Sequence, residues 1–156
     1  MQPISGRKTR RMRGFTLIEI MVVVVIVGLL ASIVGPAVMR QFDRAQIAKA
    51  EADLRGLNDG LKLFYLEHHR YPTEEEGLQI LTGEASGASD IDAANLGALI
   101  EELPKDPWGQ DYMYLFPGEN GRRYDILTYG ADREEGGGED GGDDPTGDIS
   151  IWSING

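Results

Sequence analysis

The most apolar stretch of the chain lies close to its N-terminus. Residues 15–38 read FTLIEIMVVVVIVGLLASIVGPAV and contain one ionisable side chain, that of Glu19. As an α-helix these residues extend about 36 Å, more than the roughly 30 Å hydrocarbon core of a bilayer. Valine favours strands in water, but a helix satisfies its own backbone polar groups in lipid. We predict a retained transmembrane helix; a cleaved secretory signal and a buried core helix are the alternatives.

The helix is expected to continue beyond the apolar stretch in amphipathic form. Apolar side chains recur at steps of three and four residues along one face, while charged residues occupy much of the other surface. The residues of this apolar stripe are Ile47, Ala50, Leu54, Leu57, Leu61 and Phe64. Because Pro72 disfavours helix at Tyr71, the helix should end near His68. A coiled-coil stalk is the alternative interpretation.

The second half of the chain predicts short elements. Thr73 and Glu76 have the spacing of a capping box, which predicts a short helix to about Leu81. The aromatic-rich segments 112–116 and 124–129 flank turn residues and predict an antiparallel hairpin, to which residues 149–152 add a third strand. The predicted fold class is α+β: a long N-terminal helix, half transmembrane and half amphipathic, packed on a small antiparallel sheet.

The charged residues are unevenly distributed between the N-terminus and the rest of the chain. The net charge is −11, but residues 1–14 carry five bases and no acid, which leaves −16 for the other 142 residues. A chain this acidic binds phosphate groups poorly, so nucleic acid is not an expected partner. A basic leader before an apolar run is instead typical of membrane targeting, with the positive end cytoplasmic. The absence of cysteine excludes disulfides, zinc-thiolate sites and cysteine nucleophiles.

Glu19 is the unusual residue of the apolar segment. A carboxylate in the middle of a transmembrane helix costs about 2.5–3.5 kcal/mol on insertion scales. No Lys or Arg lies between Glu19 and Arg40. A free α-amino group from another chain would supply the missing cation if the chain were cut before Phe15. The alternative is a carboxylate that reaches the interface.

Residues 13–19, RGFTLIE, resemble the type III signal of type IV pilins and pseudopilins. This resemblance implies that a prepilin peptidase cuts between Gly14 and Phe15 and N-methylates Phe15. It also implies that Glu19 pairs with the terminal amine of a neighbouring subunit during assembly. Pro36 fits the same family, whose helices often carry a helix-breaking proline there.

The second half narrows the resemblance to the major pseudopilin of type II secretion systems. The similar segments are 69–73 (HRYPT), 77–78, 103–109 (LPKDPWG), 124–125, 130–132 and 148–149 with Trp152. The resemblance implies a cleaved leader (1–14), a transmembrane and assembly helix (15–39) and a periplasmic pilin-like domain (40–156). It implies an inner-membrane, single-pass protein of a Gram-negative bacterium. Its partners would be further copies of itself, prepilin peptidase, minor pseudopilins and the inner-membrane assembly platform.

An acidic, glycine-rich loop precedes the end of the chain. Residues 132–148 hold eight acids, one base and six glycines, a composition that by itself favours a solvated loop. Calcium would relieve the repulsion, since it accepts six to eight oxygens in flexible geometry. The resemblance implies one structural calcium ion in a loop spanning 129–148. The implied ligands are Asp132, Asp148 and the Tyr129 carbonyl. Asp144 and Asp143 are the best substitutes for an acid that is Gly147 here, with Glu134 and Asp140 behind them.

Three functions can be weighed against these features. A structural subunit that polymerises into the periplasmic pseudopilus, and so helps drive folded proteins across the outer membrane, fits all of them. A type IV pilin of a surface fibre shares the leader, but such pilins often close their C-terminal region with a disulfide, which this chain lacks. An enzyme is not expected, because no G-x-S-x-G, H-E-x-x-H or P-loop lysine motif occurs.

Overall fold

The computed structural model describes residues 14–83, 97–138 and 144–154. Helix α1 comprises Leu17–His68 and is followed by a 3₁₀ helix over Leu78–Thr82. Strands β1 (Met113–Leu115) and β2 (Asp125–Thr128) flank a 3₁₀ turn at Glu119–Gly121, and β3 (Ile149–Ser150) runs into the short helix α2 (Ile151–Ile154). By its contacts the chain divides into two compact units, one ending at Met39 and the other beginning at Arg40.

In the first unit, the helix is exposed along its whole length. Every residue from Phe15 to Met39 is exposed, and the helix is unbroken through Pro36. Pro36 has no N–H, so the carbonyl of Ser32 loses its usual partner there. The Ser32 hydroxyl donates to the Leu29 carbonyl one turn back, at 2.7 Å. The transmembrane role of this segment stays a prediction.

The core of the second unit is built on the amphipathic part of α1. All six residues of the predicted apolar stripe are buried, and four of them have no accessible surface. The helix also ends at the predicted residue, His68, and His69 follows with a left-handed φ of 57°. The core continues into Leu78, Ile80, Leu81, Ile126, Ile149 and Ile151. The predicted face and C-terminus of the helix are therefore confirmed.

The sheet has three antiparallel strands in the order β1-β2-β3. In the hairpin, Tyr114 lies opposite Ile126, which confirms the predicted pairing. The third strand is shorter than predicted, because only Ile149 and Ser150 pair with β2. The next residues turn into α2, where the Ser150 side chain accepts a hydrogen bond from the Ser153 amide at 3.2 Å. A serine in this position caps a helical turn and competes with strand pairing.

The predicted capping box forms, but it does not begin an α-helix. The Thr73 amide donates to the Glu76 carboxylate at 2.8 Å, and the Glu76 amide donates to the Thr73 hydroxyl at 3.3 Å. Gly77 then adopts a left-handed φ of 58°, which interrupts helical geometry, and a 3₁₀ helix starts at Leu78. The predicted helix from Thr73 to Leu81 is therefore wrong in type and in starting residue.

Glu76 has a second role that the capping-box pattern does not indicate. Its buried carboxylate forms a bidentate ion pair with Arg70, with both N–O distances at 2.6 Å. The hydrogen bonds from Arg70 hold the pKa of Glu76 below its usual range, against the opposing effect of burial. The pair fastens the segment after α1 to the turn at residues 73–76.

Replacement of Glu76 by Gln should destabilise the unit that begins at Arg40 by about 2 kcal/mol at neutral pH, because hydrogen bonds to charged groups contribute about 1.5–3 kcal/mol. A lowered folded-state pKa contributes stability above the unfolded-state pKa and loses it as pH falls through the folded value. The difference from wild type should therefore shrink below about pH 4, near the ordinary glutamate pKa. Urea unfolding across pH measures this.

The matched control is Glu75→Gln, since Glu75 is an exposed neighbour on the same turn. It should change stability by less than about 0.5 kcal/mol at every pH. A loss for Glu76→Gln that stayed constant from neutral to acid pH would show that the ion pair contributes nothing.

Candidate functional site

The residues around the predicted cleavage position lie just before α1. Gly14, Phe15 and Thr16 are non-helical, and the Phe15 side chain is 78% exposed. The Thr16 hydroxyl and carbonyl accept hydrogen bonds from the Glu19 amide at 3.3 and 3.1 Å. Thr16 is therefore the N-cap of α1. This role was not predicted, although the Thr-x-x-Glu spacing that indicates it is present at residues 16–19.

Glu19 occupies the first turn of α1, where the helix dipole favours a negative charge. No cation among the described residues pairs with its carboxylate, and the residue is exposed. Apolar side chains surround it along the helix, including Ile18 and Ile20, which are 66% and 51% exposed. The described part of one subunit thus leaves both the carboxylate and its apolar surroundings without a partner.

Helix α1 is long and apolar enough to cross a membrane, with a mean hydropathy of 3.0 over its most apolar 18 residues. None of those residues is buried inside the subunit. A soluble protein rarely exposes so large a continuous apolar surface, so this helix is a candidate membrane anchor. Of the predicted assembly residues, Glu19 and Pro36 lie on α1, and Phe15 lies just before it.

The acidic loop begins at the end of β2 and is closed by backbone contacts. The Ala131 amide donates to the Pro145 carbonyl at 2.7 Å. Gly130 has a left-handed φ of 71°, and a Cβ there would lie 2.8 Å from the Gly147 carbonyl oxygen. Only glycine combines this φ with such a close approach at no steric cost. The two ends of the loop therefore meet at Gly130.

Three predicted ligand residues of the loop have their carboxylates fixed by loop amides. Asp132 accepts from the Glu134 amide at 3.1 Å, and Asp148 accepts from the Gly136 amide at 3.0 Å. Asp144 accepts from the Thr146 amide at 3.0 Å. Asp143 lies outside the described residues.

The glycines of the loop bring several of these oxygens together. A Cβ on Gly137 would collide with the second carboxylate oxygen of Asp132 and with the Thr146 carbonyl. A Cβ on Gly138 would lie 2.7 Å from a carboxylate oxygen of Asp144. The Thr146 carbonyl was not predicted as a ligand, since no sequence pattern marks a single backbone oxygen.

The donor set fits a hard cation such as calcium. One carboxylate oxygen of Asp148 is buried and has no hydrogen-bond partner among the described residues, an arrangement that costs free energy unless a cation or water satisfies it. Within the described ranges, no three His, Cys, Asp or Glu side chains converge as a metal-ligating group. Backbone carbonyls would have to complete the coordination, as calcium permits.

Tyr129 lies between β2 and the loop and is half-buried. The pKa of its phenol is raised, first by burial and then by the negative charges of Glu135, Asp148 and Glu119. The predicted role of Tyr129 concerns its carbonyl, and that role stays a prediction.

Two residues that lie outside the acidic loop hold its first turn in place. Neither residue was predicted to have this role. Buried Asp106 accepts a hydrogen bond from the Thr128 hydroxyl at 2.6 Å, which fixes the end of β2. The Gln110 side-chain amide donates to the Gly130 carbonyl at 3.0 Å. Asp106 and Gln110 both belong to the turn around Trp108, whose sequence indicated only a rigid connector.

The sequence matches two family models. Residues 37–152 match the model described as type II secretion system (T2SS), protein G, and residues 9–35 match the prokaryotic N-terminal methylation motif. The two matches together extend over almost the whole chain and include both the N-terminal segment and the acidic loop.

Similar proteins carry the same description. The type II secretion system core protein G of Vibrio cholerae is 41% identical over 95% of this chain and 97% of its own length. The protein of that name from Escherichia coli K12 is 43% identical over 96% of this chain and 97% of its own length. The crystal structure of the major pseudopilin from the type 2 secretion system of enterohaemorrhagic Escherichia coli superposes with a TM-score of 0.59 at 31% identity, covering 74% of this chain and 93% of that one.

Gly130→Ala should destabilise the unit from Arg40 by about 2–3 kcal/mol, because the substitution combines left-handed strain with a carbonyl clash. The matched control is Gly121→Ala, since Gly121 has a similar φ of 76° and no neighbouring atom within 4 Å of the place that a Cβ would occupy. The control should lose only about 1 kcal/mol. Thermal unfolding measures both, and equal losses would contradict closure of the loop at Gly130.

Proposed function

This chain belongs to the type II secretion system protein G family and is a structural pseudopilus subunit, not an enzyme; on this premise we propose how it is processed, anchored and assembled. It polymerises with copies of itself through the N-terminal half of α1. The filament grows in the periplasm and helps move folded proteins across the outer membrane. The observation that carries this proposal is the exposed apolar segment, whose one carboxylate has no cation beside it among the described residues.

Processing would create the cation that Glu19 lacks. The methylation motif matched at residues 9–35 implies a prepilin peptidase that cuts between Gly14 and Phe15 and methylates the new terminus. The exposed, non-helical position of Gly14 and Phe15 suits access by a protease. The amine of Phe15 would then pair with Glu19 of a neighbouring copy, because apolar surroundings strengthen a paired charge and penalise an unpaired one.

The proposed membrane placement depends on the same segment. Before assembly, residues 15–39 anchor the subunit in the inner membrane of a Gram-negative bacterium, with the basic leader on the cytoplasmic side and the unit from Arg40 in the periplasm. On assembly, packing against the helices of other copies covers the apolar surface. Minor pseudopilins and an inner-membrane assembly platform complete the expected set of partners.

The acidic loop is proposed to hold one structural calcium ion. Asp132, Asp144, Asp148 and backbone carbonyls such as those of Thr146 and Tyr129 are the proposed ligands, with Asp143 as a further candidate. The buried oxygen of Asp148 that lacks a partner within the described ranges is the observation that supports it. The ion would neutralise part of the carboxylate repulsion and keep the loop closed onto β2 and β3.

Glu19→Gln should reduce filament formation by at least about tenfold, since each contact between copies loses a charged hydrogen bond of about 1.5–3 kcal/mol. The full chain, produced with its secretion system, is assayed for sheared or pelleted filaments. Mass spectrometry should still find cleavage between Gly14 and Phe15, which separates assembly from processing. The control Glu67→Gln removes an exposed carboxylate elsewhere on α1 and should assemble normally. Normal filaments from Glu19→Gln would contradict the proposed pairing.

Calcium should stabilise the unit from Arg40 by about 2.7 kcal/mol at a hundredfold excess over its dissociation constant. Thermal unfolding with calcium, with magnesium and with a chelator measures this, and magnesium should have a smaller effect. Asp132→Asn should abolish the calcium-dependent shift, whereas Asp111→Asn, which changes an exposed acid outside the loop, should retain it. A calcium shift that persisted in Asp132→Asn would contradict the proposed site.

A further inference from the structure

An aromatic groove of about 360 Å³ opens on the surface of the unit that begins at Arg40. It is lined by Asn58, Lys62, Tyr71, Arg123, Tyr124 and Trp152. The Tyr124 ring lies 4.7 Å from that of Tyr71 and 5.9 Å from that of Trp152, which forms a continuous aromatic floor. The Tyr124 hydroxyl donates to buried Asn58 at 2.7 Å, so this floor is held rigidly against α1.

The aromatic groove is positively charged on a strongly acidic body. Lys62 and Arg123 line it, and the Arg122 guanidinium lies 5.6 Å from the centre of the Trp152 ring. Asp59 pairs with Lys62 and Asp125 pairs with Arg122, so the three cations exceed the two acids by one charge. Arg123 is exposed and has no ion-pair partner among the described residues. The groove therefore offers an aromatic surface with an available guanidinium, which suits a carboxylate ligand.

A complementary acidic edge lies at the other end of β2. Glu134 and Glu135 are exposed and make no ion pair within the described ranges. The next amide, of Gly136, is fixed to Asp148 immediately before β3, so the two glutamates stay at the C-terminal end of β2. Glu135 is not a proposed calcium ligand, and Glu134 is only a secondary candidate for that site.

Among the described residues, no ion pair joins the acidic edge to the aromatic groove of the same subunit. Tyr124 immediately precedes β2 and Tyr129 immediately follows it. Five residue steps along the strand separate these positions by about 16 Å. Two complementary surfaces at opposite ends of one strand favour a head-to-tail contact, the kind of contact from which an open helical filament is built when the rotation does not close.

We propose that the acidic edge formed by Glu134 and Glu135 of one copy docks into the aromatic groove of the next copy, with Arg123 as the main cation. This contact rests on the proposed polymerisation and gives it a second interface, outside the apolar segment. The aromatic floor lowers the local dielectric around the charges, which strengthens their attraction. Charge complementarity of this kind sets register and selects the partner.

Cysteine pairs in the full chain test the contact, since the natural sequence has no cysteine. Chains carrying both Arg123→Cys and Glu135→Cys should form a ladder of covalently linked multimers when a bifunctional maleimide is added to isolated filaments. The linker spans the gap that the two shortened side chains leave, which is too wide for a direct disulfide. Either substitution alone should give no ladder, and a chain carrying Arg123→Cys with Glu102→Cys, an exposed acid elsewhere, should give none either. Filaments of the Arg123/Glu135 double-cysteine chain without a ladder would overturn the proposal.

A charge swap provides the second measurement. Arg123→Glu and Glu135→Arg should each reduce filament yield several-fold, and the double variant should restore it. The melting temperature of each variant should equal that of wild type, because both residues are exposed. Single variants that assemble normally, or a double variant that is not restored, would overturn the docking contact.

The two proposals fail in different ways. If the charge-swap variants assemble normally while Glu19→Gln does not, the proposed polymerisation is supported and the proposed docking contact is wrong. If the wild-type chain forms no filament with its secretion system, both proposals are overturned.

Discussion

Everything in this protein depends on an apolar segment that its own subunit does not cover. Residues 15–39 expose apolar side chains over their whole surface, and the described residues supply no partner for Glu19. Burial of apolar surface contributes about 25 cal/mol per Å², so leaving this segment in water is very costly. We propose that lipid covers the segment before assembly and that copies of the same helix cover it afterwards. The proposed membrane-anchored filament requires a subunit that passes from the lipid bilayer into contact with copies of itself.

The unit from Arg40, in contrast, covers its apolar side chains within the subunit. One face of α1 is sealed by the sheet and the 3₁₀ helix, with Leu54, Leu61 and Phe64 fully buried. Tyrosine hydroxyls then fasten the sheet to the helix: Tyr112 donates to Asp53 at 2.9 Å and Tyr124 to Asn58 at 2.7 Å. Burial raises the pKa of Tyr124 to about 12, so its hydroxyl keeps the proton that it donates to Asn58 throughout the physiological range.

Elements that depend on a repeating pattern were predictable from the sequence, whereas elements that depend on a single backbone angle were not. The stripe from Ile47 to Phe64 and the hairpin could be predicted, because each is marked by several side chains in a regular order. The left-handed Gly77 and the serine cap at Ser150 could not, since one residue changes the element there. In the acidic loop, composition alone favoured a solvated loop, and only the family resemblance implied a calcium site. The oxygens near Gly137 are brought together by turns that the sequence spacing does not define. The role of Asp106 in fixing β2 was missed because its partner there, Thr128, is distant in sequence.

We propose that this chain is the subunit of a filament whose core is made of its own N-terminal helices. Electron cryomicroscopy of filaments from cells that produce the full chain and its secretion system tests this arrangement. We expect helical density of this chain alone along the shaft, with residues 15–39 in the core and the Glu19 carboxylate beside the Phe15 amine of a neighbouring copy. A shaft built from another protein, or a core in which Glu19 faces solvent, would contradict it.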